Sequence, residues 1–245
     1  MTEQRVALVT GSSSGIGAAV ARRLAADGIK VVVNSAHSVE AGEALAAELP
    51  DAVYIRSNVA EDGEAARLVE GAVDAYGRLD ILVNSAGITR FIPHDDLDAA
   101  TPDIWRDIFD VNVLGVWQTV TAAAPHLKAS GGCVVNVSSQ AGVRPGGSSI
   151  PYAVSKAAVN HMTRLLAKTL GPAVRVNAVA PGMIDTPWFD GLDGADEAKA
   201  HVAAAVPLRR VGRPEDIAQA VYDLANASYI TGEVLLVDGG GHLLG

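Results

Sequence analysis

Residues 10–17 read Thr10-Gly11-Ser12-Ser13-Ser14-Gly15-Ile16-Gly17, directly behind the apolar run Val6–Val9 and directly ahead of Ala18–Ala26, a stretch of good helix formers. Glycines let a backbone turn tightly and approach a ligand closely. The unpaired N–H groups and positive dipole end of a helix N-terminus favour an anion such as a pyrophosphate. Strand before and helix after is the context that separates a dinucleotide-binding turn from a merely flexible Gly/Ser loop. The spacing is G-x-x-x-G-x-G rather than the commoner G-x-G-x-x-G, and the absence of a Gly-Lys-Ser/Thr ending argues against a P-loop hydrolase.

Outward from this turn, apolar runs recur at Ile29–Val33, Ala52–Ile55, Ile81–Val83, Val134–Val137, Val174–Val179 and Val234–Val237. They are uniformly apolar rather than alternating, as strands covered on both faces are. Between them lie helical stretches at Val39–Leu49, Glu64–Tyr76, Ile104–Leu127, Tyr152–Leu170 and Pro214–Leu224. Gly28 and Gly77 stand where helices should stop, and Pro214 opens one with Glu215 and Asp216 in its first turn. Strict alternation predicts an α/β fold: one Rossmann-type doubly wound parallel sheet of about seven strands, flanked by helices on both faces. No linker or repeat divides residues 1–245, so a single domain is expected. The irregular segment 182–212 reads as a lid over the carboxyl ends of the strands.

With 49% apolar and 19% charged residues, 245 residues can bury one sizeable core. A net charge of −9 makes nucleic acid and anionic membranes poor partners. No apolar run approaches the roughly 20 residues of a membrane span. With no secretory pattern at the start and a lone cysteine, Cys133, which reads as a small buried hydrophobe, the expected location is cytoplasmic. The histidines His37, His94, His126, His161, His201 and His242 form no metal-ligand pattern, so no metal is expected. Asp95, Asp96 and Asp98 read as a solvated acidic loop.

The turn at 10–17, then Asn84-Ser85-Ala86-Gly87, Tyr152-x-x-x-Lys156, Pro181-Gly182 and Asp238-Gly239-Gly240 together resemble the short-chain dehydrogenase/reductase family over nearly the whole chain. Tyr152 and Lys156 are four residues apart, on one face of a helix. Val154, Ala158, Met162, Leu165 and Leu166 form a second stripe, which is expected to pack. A nearby ammonium favours a phenolate, so Lys156 is expected to lower the pKa of Tyr152. The resemblance implies Ser139, Tyr152 and Lys156 as catalytic residues, with Asn112 holding a water in a proton relay. It also separates the chain from the enoyl-reductase pattern, in which six residues lie between tyrosine and lysine.

Cofactor contacts are expected from Gly11, Ser13, Ser14, Gly15, Ile16, Gly17, Ser35, His37, Asn58, Val59, Asn84, Ala86, Gly87, Pro181, Gly182, Ile184 and Thr186, together with Tyr152 and Lys156. Ser35 stands where NAD-preferring members carry aspartate, which removes a repulsion against a 2′-phosphate and favours NADP(H) over NAD(H). The usual basic partner is missing at Ser14 and Ala36, with His37 as a substitute. Arg90, Phe91, His94, Gln140, Val143, Met183, Trp188 and Phe189 are expected around the substrate by loop position. Trp105, Phe109, Val113, Val116, Trp117 and Val120 have the spacing of a buried helix face, which in this family often packs a subunit interface. A homotetramer is therefore expected, with a dimer next.

The resemblance is nearest to 3-oxoacyl-acyl-carrier-protein reductases and stand-alone carbonyl reductases. An acidic carrier needs a basic entrance, and the stretch 126–132 offers only Lys128, so a free small-molecule ketone or secondary alcohol is favoured. The alternatives are the carrier-linked reductase and, remotely, a dinucleotide-binding regulatory protein without chemistry.

Overall fold

In β1 (Val6–Thr10) every residue is buried, because the strand lies at the centre of the sheet and has helices on both sides. Ala7 and Val9 point into one core and Val6 and Leu8 into the other. The computed structural model of the chain describes residues 4–244. The remaining strands are β2 (Lys30–Ser35), β3 (Ala52–Arg56), β4 (Ile81–Asn84), β5 (Cys133–Val137), β6 (Arg175–Pro181) and β7 (Val234–Val237). All pair in parallel in a single seven-stranded sheet of order β3-β2-β1-β4-β5-β6-β7, as the alternating pattern predicts. The order reverses between β1 and β4, and the loops after these strands therefore part to leave a crevice.

Helices α1 (Gly15–Ala25), α2 (Val39–Glu48) and α8 (Pro214–Asn226) cover one face, with Leu24, Leu45, Ile217 and Val221 in the core. On the other face lie α3 (Glu64–Tyr76), α5 (Gly115–Ser130) and α6 (Ile150–Leu170), through Leu68, Val120, Leu127 and Leu166. Cys133 is buried, and that burial pushes its thiol pKa up, as suits an inert small hydrophobe. Among the described residues no helix is long and apolar enough to cross a membrane.

The expected continuous helix at 104–127 is divided. It runs as α4 (Pro102–Phe109), a single π turn over Asp110–Leu114, then α5. The wider turn carries the Asn112 side chain to the backbone of Ile88. The Val154 stripe of α6 packs in part as expected, with Leu166 in the core and Met162 against it, but Val154 and Leu165 do not. Val154 is 43% and Leu165 54% exposed, whereas Ser155, Lys156, Val159, Asn160, Thr163 and Leu170 are buried. Polar partners under the sheet satisfy that inner face: Ser155 meets Asn112, Thr163 meets Asn136, and Lys156 meets the Val137 carbonyl. In the stripe at 105–120, Val116 and Val120 are buried but Trp117 is 49% exposed.

Candidate active site

The glycine turn is built by close backbone approach. Gly11 has φ +61°, and a Cβ there would lie 2.7 Å from the Cα of Ala86; at Gly17 it would lie 2.4 Å from the Gly11 carbonyl oxygen. No other residue fits either place. Asn34, buried at the end of β2, braces the turn: its Oδ1 accepts from Gly11 N at 3.3 Å, and its Nδ2 donates to the carbonyls of Ile55 and Ser57. Ser12 Oγ donates to Val9 O at 2.7 Å and accepts from Asn34 N at 3.0 Å. Thr10 Oγ1 accepts from Ser85 N and Ala86 N, each at 3.1 Å, and so ties the first loop to the loop after β4. These braces are absent from the expected residues. Their signal in the sequence is the polar residues Thr10 and Asn34 at the ends of the apolar runs of β1 and β2.

Above the turn, Ser14 N-caps α1 without a side-chain bond to the helix, so the first-turn N–H groups are left to face the crevice. A cavity of about 750 Å³ runs from here to Tyr152 and is lined by Gly11, Ser13, Ser14, Gly15, Ile16, Gly17, Ser35, His37, Asn58, Val59, Ala86, Gly87, Pro181, Gly182, Ile184 and Thr186. A tight glycine cradle, an open helix N-terminus and a long continuous cleft fit a dinucleotide. Asn84 departs from the expected set. Its Nδ2 donates to Asn136 Oδ1 at 2.9 Å and its Oδ1 accepts from Thr119 Oγ1 at 2.7 Å, which holds the side chain within the sheet-to-helix packing behind the cavity.

The chemistry-bearing side chains share the far wall. Ser139 follows β5 and caps a short 3₁₀ turn, its Oγ accepting from Ala141 N at 3.1 Å. Tyr152 is in the first turn of α6, where the Ser149 side chain caps the helix at Tyr152 N. Ser139, Tyr152 and Lys156 all line the cavity. The Lys156 Nζ lies 5.7 Å from the Tyr152 ring centroid and donates to the Val137 carbonyl at 2.9 Å. Asn112 sits behind this wall. Its Oδ1 accepts from Ile88 N at 2.8 Å and its Nδ2 donates to Ile88 O and Ser155 Oγ, each at 3.0 Å, fastening the loop after Gly87 to α6. At Gly87 a Cβ would lie 3.3 Å from Asn112 Oδ1 and 3.5 Å from Lys156 Nζ, which marks how closely these groups converge.

The expected lowering of the Tyr152 pKa is corrected by the electrostatics. Burial pushes the phenol up to about 12, and the Ser139 hydroxyl beside it offsets only part of this. Burial also pushes Lys156 down to about 8. Desolvation dominates because Lys156 is buried and Tyr152 half-buried in the cavity wall, and the ammonium donates to the Val137 carbonyl.

Segment 182–212 closes the substrate end. Its base is pinned by Asp185 N to Gly212 O at 2.9 Å and Gly212 N to Met183 O at 3.0 Å, and it carries α7 (Ala195–Ala205). Trp188 stands 6.1 Å from Tyr152, and Phe189 stands 6.1 Å from Phe91 on the opposite rim, ring centroid to ring centroid. Phe91, Gln140, Met183, Trp188 and Phe189 line the cavity as expected; Arg90, His94 and Val143 lie outside the lining. Arg90 turns back onto the Thr89 carbonyl and towards Asp107. Ile88, Leu192 and Val202 line it as well, and were missed because nothing local in the sequence marks them.

Residues 11–242 match the family model described as Enoyl-(Acyl carrier protein) reductase. The chain is 64% identical to the Streptomyces violaceoruber protein named "Granaticin polyketide synthase putative ketoacyl reductase 2", over 99% of this chain and 98% of that one. It is 39% identical to the 3-oxoacyl-[acyl-carrier-protein] reductase of Synechocystis, over 96% of each. The solved structure titled "putative short-chain dehydrogenase/reductase from Burkholderia xenovorans" superposes with a TM-score of 0.91 at 36% identity, covering 99% of this chain and 100% of that one. The chain belongs to the short-chain dehydrogenase/reductase family. As such it is an oxidoreductase that binds a nicotinamide dinucleotide and interconverts a ketone and a secondary alcohol on a small molecule. Its kinship lies with the ketoacyl-reductase branch of these short-chain dehydrogenases/reductases.

Proposed function

We propose that the chain is an NADP(H)-linked carbonyl reductase acting on a free, uncharged ketone, with Tyr152, Ser139, Lys156 and Asn112 as its working residues. The carrying observation is that Tyr152, Ser139 and Lys156 line the same cavity as the glycine turn. A bound nicotinamide supplies the hydride. Tyr152, a neutral phenol whose pKa burial pushes up from its ordinary value, gives its proton to the carbonyl oxygen as that oxygen gains charge. Ser139 donates to the same oxygen. Lys156, its Nζ 5.7 Å from the Tyr152 ring centroid and held by the Val137 carbonyl, keeps a positive charge in the same wall, and Asn112 keeps the loop after Gly87 and α6 in register. Gly11, Ser13, Ser14, Gly15, Ile16 and Gly17 cradle the pyrophosphate; Ser35, His37, Asn58, Val59 and Ala86 border the adenosine half; Gly87, beside Lys156, and Pro181, Gly182, Ile184 and Thr186 border the nicotinamide half.

The entrance supports a free substrate. Asp193 lines the cavity, and the two chain segments that carry its aromatic lining bear further exposed acids without an ion pair among the described residues, Asp95, Asp96 and Asp98 after Phe91 and Asp190, Asp196 and Glu197 after Phe189. An acidic carrier protein would be repelled by both. The names of the relatives favour a second reading, reduction of a keto group on a carrier-bound acyl chain. The exposed apolar side chains of Leu114, Trp117, Val154 and Leu165 support a homo-oligomer, a tetramer first and a dimer next, formed through the α5 and α6 side of the molecule. Following reduced-cofactor loss over free ketones, diketones and carrier-bound 3-oxoacyl thioesters tests the substrate and cofactor together. NADPH-linked turnover of free ketones is expected; turnover confined to carrier-bound substrates, or a strong preference for NADH, would overturn the reading.

A further inference from the structure

We propose that Arg56 reads the adenosine ribose, its guanidinium binding the 2′-phosphate that distinguishes NADP(H) from NAD(H). This rests on the NADP(H) reading above and supplies the cation that the usual positions, Ser14 and Ala36, lack. Arg56 closes β3 and pairs in register with Ser35, the residue at the end of β2 where an acid would exclude a 2′-phosphate. Its Nε donates to the Ala36 carbonyl at 3.2 Å, which holds the guanidinium against the stretch from Ser35 to Ser38 on the cavity wall. On its other side the chain re-enters the lining at Ser57. Arg56 is exposed and outside the lining itself, bracketed by cavity-lining segments at the rim.

What the neighbours do narrows the assignment. The Ser35 hydroxyl is taken up by the Ser38 carbonyl at 3.1 Å and the Tyr54 hydroxyl at 2.9 Å, so it is poorly placed to serve as the main phosphate donor. Arg22 is committed to Glu48 at 2.8 Å and Arg67 to Glu64 at 2.6 Å. Among the described residues Arg56 makes no ion pair, and only its Nε has a hydrogen-bond acceptor. A guanidinium offers five N–H donors in a planar fork that matches phosphate oxygens two at a time. One donor fixes its position here, and the outer two nitrogens stay available.

Titrating the full-length protein with NADPH and with NADH, by the fluorescence of the bound nucleotide, tests the assignment in wild type, Arg56→Gln, Arg56→Lys and His37→Ala. A charge-assisted phosphate contact predicts that Arg56→Gln weakens NADPH about 10–100-fold and leaves NADH within about twofold. Arg56→Lys should keep part of the discrimination as a point charge, and His37→Ala should cost less than Arg56→Gln. Added salt should erode NADPH binding more in wild type than in Arg56→Gln. If wild type prefers NADPH but Arg56→Gln and Arg56→Lys both bind it undiminished, the role of Arg56 is wrong while the NADP(H) reading stands. If wild type binds NADH as tightly as NADPH, both fall.

Discussion

The two ends of the cleft are built by opposite means. At the cofactor end, Thr10, Ser12 and Asn34 are buried, and their side chains satisfy backbone groups of the turn and of the loop after β4. At the substrate end neither the short 3₁₀ turn at Pro187–Phe189 nor α7 has a buried residue, and the segment rests on ring contacts and on the Lys199–Asp185 ion pair. A surface ion pair contributes about 0–1 kcal/mol. The first end is therefore a rigid mould, and the second a cover held chiefly by its base and by apolar contact. A reductase needs the cofactor in one geometry while its substrate must enter and leave, so the contrast suits the chemistry.

Substitutions at each end should separate these two designs. The largest effect is expected at Gly11→Ala, which forces a Cβ to within 2.7 Å of the Ala86 backbone at φ +61°. Left-handed strain and overlap should together cost about 2–5 kcal/mol of stability. Thermal melting and cofactor titration check this, and cofactor binding should weaken at least about tenfold even where the protein still folds. A variant that melted and bound as wild type would show the mould to be soft.

The next effect concerns Lys156, which is 6% exposed and held near pKa 8 against 10.5 in water. Between these values the unfolded chain carries the extra proton, so this group makes the fold more stable as pH rises from about 8 to about 10.5 and less stable as it falls. The change is up to about 3 kcal/mol. Denaturant unfolding of wild type and Lys156→Met across that window checks it: the stability of wild type relative to the variant should increase as pH rises through the window. The smallest effect is expected at the cover. Trp188→Ala removes a half-exposed ring beside Tyr152, and should raise the ketone KM about tenfold while the cofactor dissociation constant and the melting temperature barely move.

The same contrast explains what could be read in advance. Strands buried on both faces announce themselves as unbroken apolar runs, and a turn that requires glycine at positions 11, 15 and 17 is a local demand written in local sequence. The partners that stiffen it come from afar: Thr10 meets Ser85, and Asn84 meets Asn136 and Thr119. Asn84 thus reads from sequence as a ligand residue although its amide is spent on packing. Helical periodicity placed Val154 and Leu165 on one stripe correctly but could not say what lies opposite them, and both face outward. The acidity of Tyr152 escapes the sequence for a related reason. Spacing brings an ammonium near a phenol, but only the fold reveals that both are desolvated and that Val137 receives the ammonium hydrogen bond. Arg56 ends an apolar strand as Thr10 does, and its place beside Ser35 follows from strand register alone.

The claim on which the account turns is that the Tyr152 hydroxyl exchanges a proton with the substrate oxygen. Steady-state turnover of the best free ketone by Tyr152→Phe, with cofactor affinity measured on the same preparation, tests it most directly. The account predicts a kcat lower by about 10²–10⁴ with the cofactor bound as in wild type; wild-type turnover without the hydroxyl would contradict it.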